Sequence, residues 1–289
     1  MKKGLYTALV TPLNEDKTIN YSCLKKLIDF QIESGVAGIV ILGSTGESQM
    51  LSFDDKLTLI EKVTSYVKKR TLVIVGITAS DINDVIFLGL FAKKRGADAL
   101  LISNPPYVKG NKNGIFKYFT YLAKCINHPI IIYNVPSRTA YNIDSDVIIE
   151  LSKNSNIIGV KQASPDLLEM EKIINKTSDF LVFTGNDENI LESIFLGGDG
   201  VISVLSNIVP KELSKVVSLA LSRNQTAFPL FSKYQHLISL LFIEANPIPV
   251  KFALREMGYN VGGYLLPLDE LEPENKNLLT LALKELNLC

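Results

Sequence analysis

Eight apolar runs of strand length recur along the chain, and a helix-like segment separates each run from the next. The runs begin near Leu5, Ala37, Leu72, Asp98, Pro129, Ile157, Leu181 and Gly200. Parallel strands need crossover connections, which are usually helices, and eight such strands can close into a barrel. The sequence therefore predicts an α/β protein built on a (β/α)8 TIM barrel.

Capping signals mark the boundaries of the first two helix-like segments. Asn20 can cap a helix whose apolar residues fall on one face, and Gly35 can end that helix. Ser52 and Asp55 have the spacing of a capping box, with an acid in place of the usual Glu. Strand and helix are therefore expected to alternate.

The strand signal ends near Pro210, and helical periodicity continues beyond it. Four helices are expected there, over Pro210 to Arg223, Phe228 to Ile243, Pro247 to Met257 and Glu272 to Leu288. The sequence therefore predicts a catalytic barrel over residues 1–224 and a C-terminal helical domain over residues 225–289. A doubly wound sheet is the competing architecture, but the turn Thr11 to Asn14 lacks the glycines of a dinucleotide fold.

The charges of the chain balance, with 30 basic and 30 acidic residues. This balance gives no reason to expect a nucleic acid or a membrane surface as a partner, so a small molecule is expected. Three scattered cysteines form no C-x-x-C pair, and only His128 and His236 are available as further soft metal ligands. The chain is therefore expected to act in the reducing cytoplasm, without a metal or an organic cofactor.

A single lysine, Lys161, follows the apolar run Ile157 to Val160. If this run is a buried strand, Lys161 lies at its C-terminal end, where barrel enzymes carry their chemistry. Burial lowers the pKa of an ammonium group in general, and the free amine can attack a carbonyl to form a Schiff base. The structural alternative is a lysine that extends to the surface from the end of a strand.

Turns after other predicted strands carry polar groups that could meet Lys161. After the second strand, Gly43 to Glu47 includes Ser44 and Thr45, whose N–H groups and hydroxyls can bind a small carboxylate or simply cap the turn. At the end of the fifth strand, Tyr133 can shuttle protons, or be a core phenol hydrogen-bonded to the backbone. Arg138 can bind a substrate carboxylate, or form a surface ion pair.

Three further segments are less informative. Tyr107 follows the fourth strand in a proline-rich loop, where an isolated tyrosine is usually a surface residue. Gly185 follows the seventh strand and can offer backbone atoms. Gly197 to Gly200 resembles a phosphate loop but precedes the eighth strand, on the face opposite the expected site, so we interpret it as structural.

Five segments together resemble a known family, namely Gly43–Glu47, Tyr133–Thr139, Gly159–Lys161, Gly200–Ser203 and Asn246–Lys251. In this order and spacing they are similar to the pyruvate-dependent class I aldolase superfamily. More narrowly, they are similar to the dihydrodipicolinate synthase family, over essentially the whole chain. The resemblance implies a lyase that condenses pyruvate with L-aspartate 4-semialdehyde in the diaminopimelate route to lysine.

The resemblance also implies a role for each candidate residue. Lys161 would form the imine with pyruvate, and Thr45, Tyr133 and Tyr107 would form a proton relay to which Ser44 adds a hydroxyl. In the family Tyr107 reaches across a dimer interface and a dimer of dimers is usual, so a homotetramer is expected. The residues implied to hold the substrates are Ser44, Thr45, Gly185 and Ile202 for pyruvate and Arg138 for the carboxylate of the semialdehyde.

Departures from the family pattern bear on regulation and on substrate. Pro106 occupies a position where a Tyr is common in the family. Phe53, Lys56 and Asp84 replace groups that form the lysine feedback pocket, so free L-lysine is expected to inhibit weakly or not at all. Ser44 also occurs in N-acetylneuraminate lyases, so a sibling aldolase acting on N-acetylneuraminate or a 2-keto-3-deoxy acid is one alternative. Arg138 favours the synthase. A catalytically silent binding or scaffold barrel is the other alternative.

Overall fold

A closed ring of eight parallel strands forms the centre of the computed structural model, which describes residues 1–289. The strands follow one another in chain order, and β1 pairs with β8 to close the ring. They are β1 (Gly4–Ala8), β2 (Gly38–Ile41), β3 (Leu72–Ile77), β4 (Ala99–Ser103), β5 (Ile130–Asn134), β6 (Ile157–Gln162), β7 (Leu181–Thr184) and β8 (Gly200–Ser203). The predicted (β/α)8 barrel is confirmed, and every strand begins within one residue of its expected start.

Helices surround the ring, and the expected caps begin the first two of them. The side chain of Asn20 accepts a hydrogen bond from the N–H of Cys23, and Gly35 follows the helix with a φ of +77°. Ser52 accepts from the N–H of Asp55, but its hydroxyl also donates to the Asp55 carboxylate, so the reciprocal half of a capping box is absent. These helices are α1 (Tyr21–Glu33), α2 (Phe53–Val67), α3 (Ile82–Lys94), α4 (Lys112–Ile126), α5 (Pro136–Thr139), α6 (Ser145–Leu151), α7 (Leu167–Lys176), α8 (Ile190–Phe195) and α9 (Pro210–Leu221).

The chain after α9 is helical, as expected, but one predicted helix is wrong. The segment Phe228 to Ile243 forms two helices with a break at Lys233 and Tyr234. The helices of this part are α10 (Ala227–Ser232), α11 (Gln235–Leu241), α12 (Ile248–Glu256) and α13 (Pro273–Glu285). The expected division of the chain at residues 224 and 225 stays a prediction. None of the helices combines the length and the apolar character that crossing a membrane requires.

Apolar side chains pack in two layers, one between the strands and the helices and one inside the ring. Inside the ring, the rings of Tyr6 and Phe183 pack edge to face with their centroids 5.3 Å apart. Tyr133 and Ile202 belong to the same inner layer. The interior is therefore a packed core, and polar groups that emerge from it do so at the ends of the strands.

The glycine-rich segment Gly197 to Gly200 is structural, as we interpreted it. One oxygen of Asp199 accepts from the N–H of Val182 at 2.8 Å, and the other lies 2.8 Å from the ammonium group of Lys3. Gly200 has a φ of +137°, and a Cβ there would lie 2.0 Å from the carbonyl oxygen of Gly4. The segment therefore joins β7, β8 and β1 where the ring closes.

Candidate active site

A cleft of about 370 Å³ opens at the C-terminal ends of the strands. Three of the expected site residues line it, namely Ser44, Tyr133 and Arg138. Asn246 lines it as well, although the sequence indicated this residue only as part of a motif. In (β/α)8 barrels this end of the ring carries the loops that bind and react. The cleft is therefore the candidate active site.

Lys161 lies at the end of β6, inside the protein. Its neighbours in the sheet are Tyr133 on β5 and Phe183 on β7, both of which belong to the inner layer. The residue is only 6% exposed, and its Nζ lies 4.4 Å from the centroid of the Tyr133 ring. The structural alternative of a lysine that extends into solvent is therefore wrong.

Gly185, after β7, leaves the space that the Lys161 side chain occupies. A Cβ at Gly185 would lie 2.7 Å from Cε of Lys161 and 2.7 Å from Cβ of Ala163. Distances this short cannot be tolerated, so any larger residue would displace the lysine or the strand. The sequence identified Gly185 only as a source of backbone atoms, and the structure adds a steric reason for glycine.

The turn after β2 brings two hydroxyls to the site but directs them to different partners. Ser44 lies within hydrogen-bonding reach of the Tyr133 phenol. Thr45 is buried, and its Oγ1 accepts a hydrogen bond from Nδ2 of Asn246 at 2.9 Å. Of the two hydroxyls, that of Ser44 is the one beside the phenol, and the expected role of Thr45 in the proton relay stays a prediction.

Tyr133 is 8% exposed, and charged and polar groups lie beside its phenol. Burial is the largest single effect and raises the pKa of its phenol, but the positive charge of Lys161, the Ser44 hydroxyl and the charge of Arg138 together outweigh it. The net result is a pKa below the usual value of 10.0. A phenol of this kind exchanges protons more readily than an ordinary tyrosine, which suits a proton relay.

The lowered pKa of Tyr133 predicts its behaviour in an alkaline titration. The tyrosinate absorbance of the wild-type protein should include a component that ionises below pH 10, and Tyr133→Phe should remove it. Lys161→Met should move that component to higher pH, because the cation that lowers the pKa is gone. A component below pH 10 that persists in Tyr133→Phe would contradict the assignment.

Arg138 lies at the mouth of the cleft, on the short helix α5. It is exposed, and its Nη2 donates a hydrogen bond to the backbone oxygen of Asn246 at 3.0 Å. This bond uses one of its five N–H donors, which leaves the rest of the guanidinium able to bind a carboxylate. The alternative of a surface ion pair is not observed, since Arg138 forms no salt bridge in the structure.

Five expected site residues are not among those that line the cleft, namely Lys161, Thr45, Gly185, Tyr107 and Ile202. Tyr107 is 93% exposed, has a φ of +71° and does not line the cleft of its own chain. Ile202 lies on β8 with its side chain in the inner layer, so only its backbone can face a bound molecule.

Asp187 stabilises the turn that follows β8, because its Oδ2 accepts from the N–H groups of Val204 and Leu205 at 2.9 and 2.8 Å.

A buried ion pair lies behind the Gly43 to Glu47 turn. Nζ of Lys251, on α12, lies 2.6 Å from Oε1 of Glu47, and both side chains are completely buried. Lys251 also donates to the backbone oxygen of Gly263, and Oε2 of Glu47 accepts from the N–H of Leu265 at 2.8 Å. Burial lowers the pKa of Lys251, and the charge of Glu47 opposes that shift. The sequence contained both residues in motifs but gave no sign that they pair.

Comparison with known proteins agrees with this architecture. The chain matches the model of the dihydrodipicolinate synthetase family over residues 1–286. It is 43% identical, over 100% of both chains, to the 4-hydroxy-tetrahydrodipicolinate synthase of Methanocaldococcus jannaschii. It is 38% identical to that of Pseudomonas syringae pv. syringae, over 99% of this chain and 98% of the relative.

Solved structures give the same result. The dihydrodipicolinate synthase of Acinetobacter baumannii, solved in complex with pyruvate, superposes with a TM-score of 0.97 at 36% identity, covering 100% of both chains. The enzyme of Aquifex aeolicus superposes with a TM-score of 0.97 at 35% identity, over 99% of this chain and 98% of that one. The chain belongs to the dihydrodipicolinate synthetase family.

Proposed function

We propose that the chain condenses pyruvate, held as a Schiff base on Lys161, with L-aspartate 4-semialdehyde, the reaction of a 4-hydroxy-tetrahydrodipicolinate synthase in the diaminopimelate route to lysine. The observation that carries the proposal is the position of Lys161, buried at the end of β6 with its Nζ 4.4 Å from the centroid of the Tyr133 ring. The full-length relatives that carry this activity in their names support the choice of reaction.

The first step forms the covalent intermediate. The free amine of Lys161 attacks the ketone carbon of pyruvate, and loss of one water leaves an imine. Loss of a proton from the methyl group then gives an enamine. As the resemblance implies, backbone groups of Ser44, Thr45, Gly185 and Ile202 are proposed to hold the pyruvate carboxylate. For Ser44 and Thr45 the structure supports this proposal, because the turn after β2 lies beside Tyr133.

The second step forms the carbon–carbon bond. The enamine carbon attacks the aldehyde, whose oxygen takes a proton and becomes a hydroxyl. The amino group of the semialdehyde then attacks the imine carbon, closes the ring and releases Lys161 as an amine. The water released when the imine forms is the only water released in the whole reaction.

We propose that Tyr133 and Ser44 move the protons in these steps. Ser44 lies within reach of the phenol, while the Thr45 hydroxyl accepts from Asn246 and its expected role in the relay stays a prediction. The third member would be Tyr107 of a neighbouring copy. Its exposure in the single chain is compatible with that role and supports an assembly of at least two copies, with a dimer of dimers as the proposed form.

Borohydride trapping tests the proposal. With pyruvate present, reduction should attach one pyruvate-derived group to each chain, and peptide mass spectrometry should locate it on Lys161. The Lys161→Ala protein should give no adduct. The trapped enzyme should fail to consume aldehyde. The untreated enzyme should consume L-aspartate 4-semialdehyde in preference to N-acetylmannosamine, the aldehyde partner of a sialate lyase. An adduct that survives Lys161→Ala would refute the mechanism, and a preference for the sugar would favour the sibling aldolase.

Arg138→Ala separates the two substrates. Loss of a guanidinium that binds a carboxylate costs about 2–5 kcal/mol, so kcat/KM for the semialdehyde should fall by about thirtyfold or more. The rate of adduct formation with pyruvate alone should change little, because Arg138 is assigned to the other substrate. Arg138→Lys keeps the charge but not the forked donors, and it should recover only part of the loss. Equal losses in both reactions would show that Arg138 has a structural role.

A further inference from the structure

Asn246 presents an unused hydrogen-bond acceptor in the candidate active site. The residue is 8% exposed and lines the cleft, yet its Oδ1 is buried and has no hydrogen-bond partner. Six buried side-chain atoms in the structure lack a partner, and this is the only one that belongs to a residue lining the cleft. Burial of an unpaired polar atom is costly, so the atom calls for a partner that the single chain does not supply.

Two hydrogen bonds hold Asn246 in place. Its Nδ2 donates to Oγ1 of Thr45 at 2.9 Å, and its backbone oxygen accepts from Nη2 of Arg138 at 3.0 Å. The side-chain nitrogen is therefore committed to the pyruvate end of the site, while the backbone is anchored to the residue proposed to bind the second substrate. The amide oxygen remains as an acceptor between these two ends.

The charges of the cleft limit what can bind a cationic group there. Glu47 and Arg138 are the only charged residues that line the cleft. Both oxygens of Glu47 are engaged, one by the ammonium group of Lys251 and the other by the N–H of Leu265. A substrate ammonium group in the cleft would therefore meet no free carboxylate, and a neutral acceptor has to serve it.

We propose that Oδ1 of Asn246 accepts a hydrogen bond from the α-ammonium group of the aldehyde substrate while Arg138 binds its carboxylate. The proposal rests on the proposed function, and it makes Asn246 the residue that selects an amino-acid aldehyde over one without an amino group. Carboxylate and ammonium share one carbon atom in such a substrate, and Arg138 and Asn246 are already hydrogen-bonded to each other.

A neutral acceptor also suits the chemistry that follows. The nitrogen must lose a proton before it attacks the imine carbon and closes the ring. A carboxylate beside the nitrogen would stabilise its charged form, whereas an amide oxygen positions it with a weaker effect on its pKa. Asn246 would thus hold the nitrogen on the side of the site from which the ring closes.

Binding of two unreactive analogues to the borohydride-reduced pyruvate adduct tests the proposal. L-homoserine and 4-hydroxybutanoate carry the same carboxylate and hydroxyl and differ only in the α-ammonium group. Because a hydrogen bond to a charged group is involved, the wild-type adduct should bind L-homoserine about tenfold to a hundredfold more tightly by calorimetry. Asn246→Leu, of similar size, should reduce that preference to within about twofold.

Two further variants isolate the contact. Arg138→Ala should weaken both analogues by similar factors and leave the preference intact, because both carry the carboxylate. Asn246→Asp keeps an acceptor and should retain the preference for L-homoserine, even where its lost donor to Thr45 slows adduct formation. A purely structural role for Asn246 would change the affinities of both analogues together.

The outcomes separate this proposal from the proposed function. If no adduct forms on Lys161, the proposed function fails. If the adduct forms and the wild-type protein binds both analogues equally, or binds neither, the role of Asn246 is wrong while the Schiff base stands. A preference that survives in Asn246→Leu would overturn the role as well.

Discussion

Gly185→Ala is expected to lower the rate of pyruvate adduct formation by about a hundredfold, the cost of displacing a reacting group by about 1 Å. The added methyl group would lie 2.7 Å from Cε of Lys161 and 2.7 Å from Cβ of Ala163. Ala163 directly follows β6, and its N–H donates to the backbone oxygen of Asn134 at 2.9 Å, so the more flexible lysine side chain gives way. The amine then no longer meets pyruvate in the geometry that the attack requires.

The measurement is the rate of borohydride trapping at saturating pyruvate, with circular dichroism to confirm the fold. Gly89→Ala is a matched control, because its Cβ would also lie 2.7 Å from a side-chain atom, Cδ1 of Ile126, in the packing of α3 against α4. That variant should change stability without slowing the trapping of folded protein. A Gly185→Ala enzyme that traps pyruvate at the wild-type rate would show that Lys161 needs no such space.

Lys251→Met is expected to lower the free energy of unfolding by about 3–5 kcal/mol, the usual cost of leaving a buried charge unpaired. The partner, Glu47, is completely buried and would retain only the N–H of Leu265 as a donor to its carboxylate. Because Glu47 follows Ser44 and Thr45 in the turn after β2, the loss should also disturb the site. Urea denaturation followed by circular dichroism measures the effect.

Two comparisons show whether the loss comes from the unpaired charge. Adding Glu47→Gln to Lys251→Met removes that charge and should recover part of the lost stability. Glu270→Gln breaks ion pairs with Arg255 and Lys276. The side chain of Glu270 is 47% exposed, so the change should cost no more than about 1 kcal/mol. A Lys251→Met protein as stable as Glu270→Gln would mean that the buried pair contributes nothing beyond an exposed one.

The sequence was sufficient to predict the barrel because its strands are local signals. Runs such as Ile157 to Val160 are apolar on both faces, as strands covered on both sides must be, and their number determines the closed ring. The helix break at Lys233 and Tyr234 was missed, since neither residue is a glycine or proline and the apolar periodicity continues across it. Tertiary packing, which no local pattern encodes, decides such a break.

The site was predicted in part for the same reason. Lys161 lies at the C-terminal end of β6 and Arg138 lies four residues after β5, so their place near the mouth of the barrel was available from the sequence. Whether Ser44 or Thr45 lies next to Tyr133 depends on the backbone conformation of one short turn. Two adjacent hydroxyl residues in a sequence do not indicate which of them faces the phenol. Asn246 meets Thr45 across about two hundred residues of chain, a contact that spacing alone cannot reveal.

The closed ring of strands also constrains how copies of this protein can associate. Every strand has a hydrogen-bonded neighbour on each side, so no backbone edge is free to extend a sheet into another molecule. Contacts between native copies are therefore left to side chains on helices and loops, where the exposed Tyr107 lies. A folding chain whose ring is not yet closed has two such edges at once, so partly folded states are more open to aggregation than the native barrel.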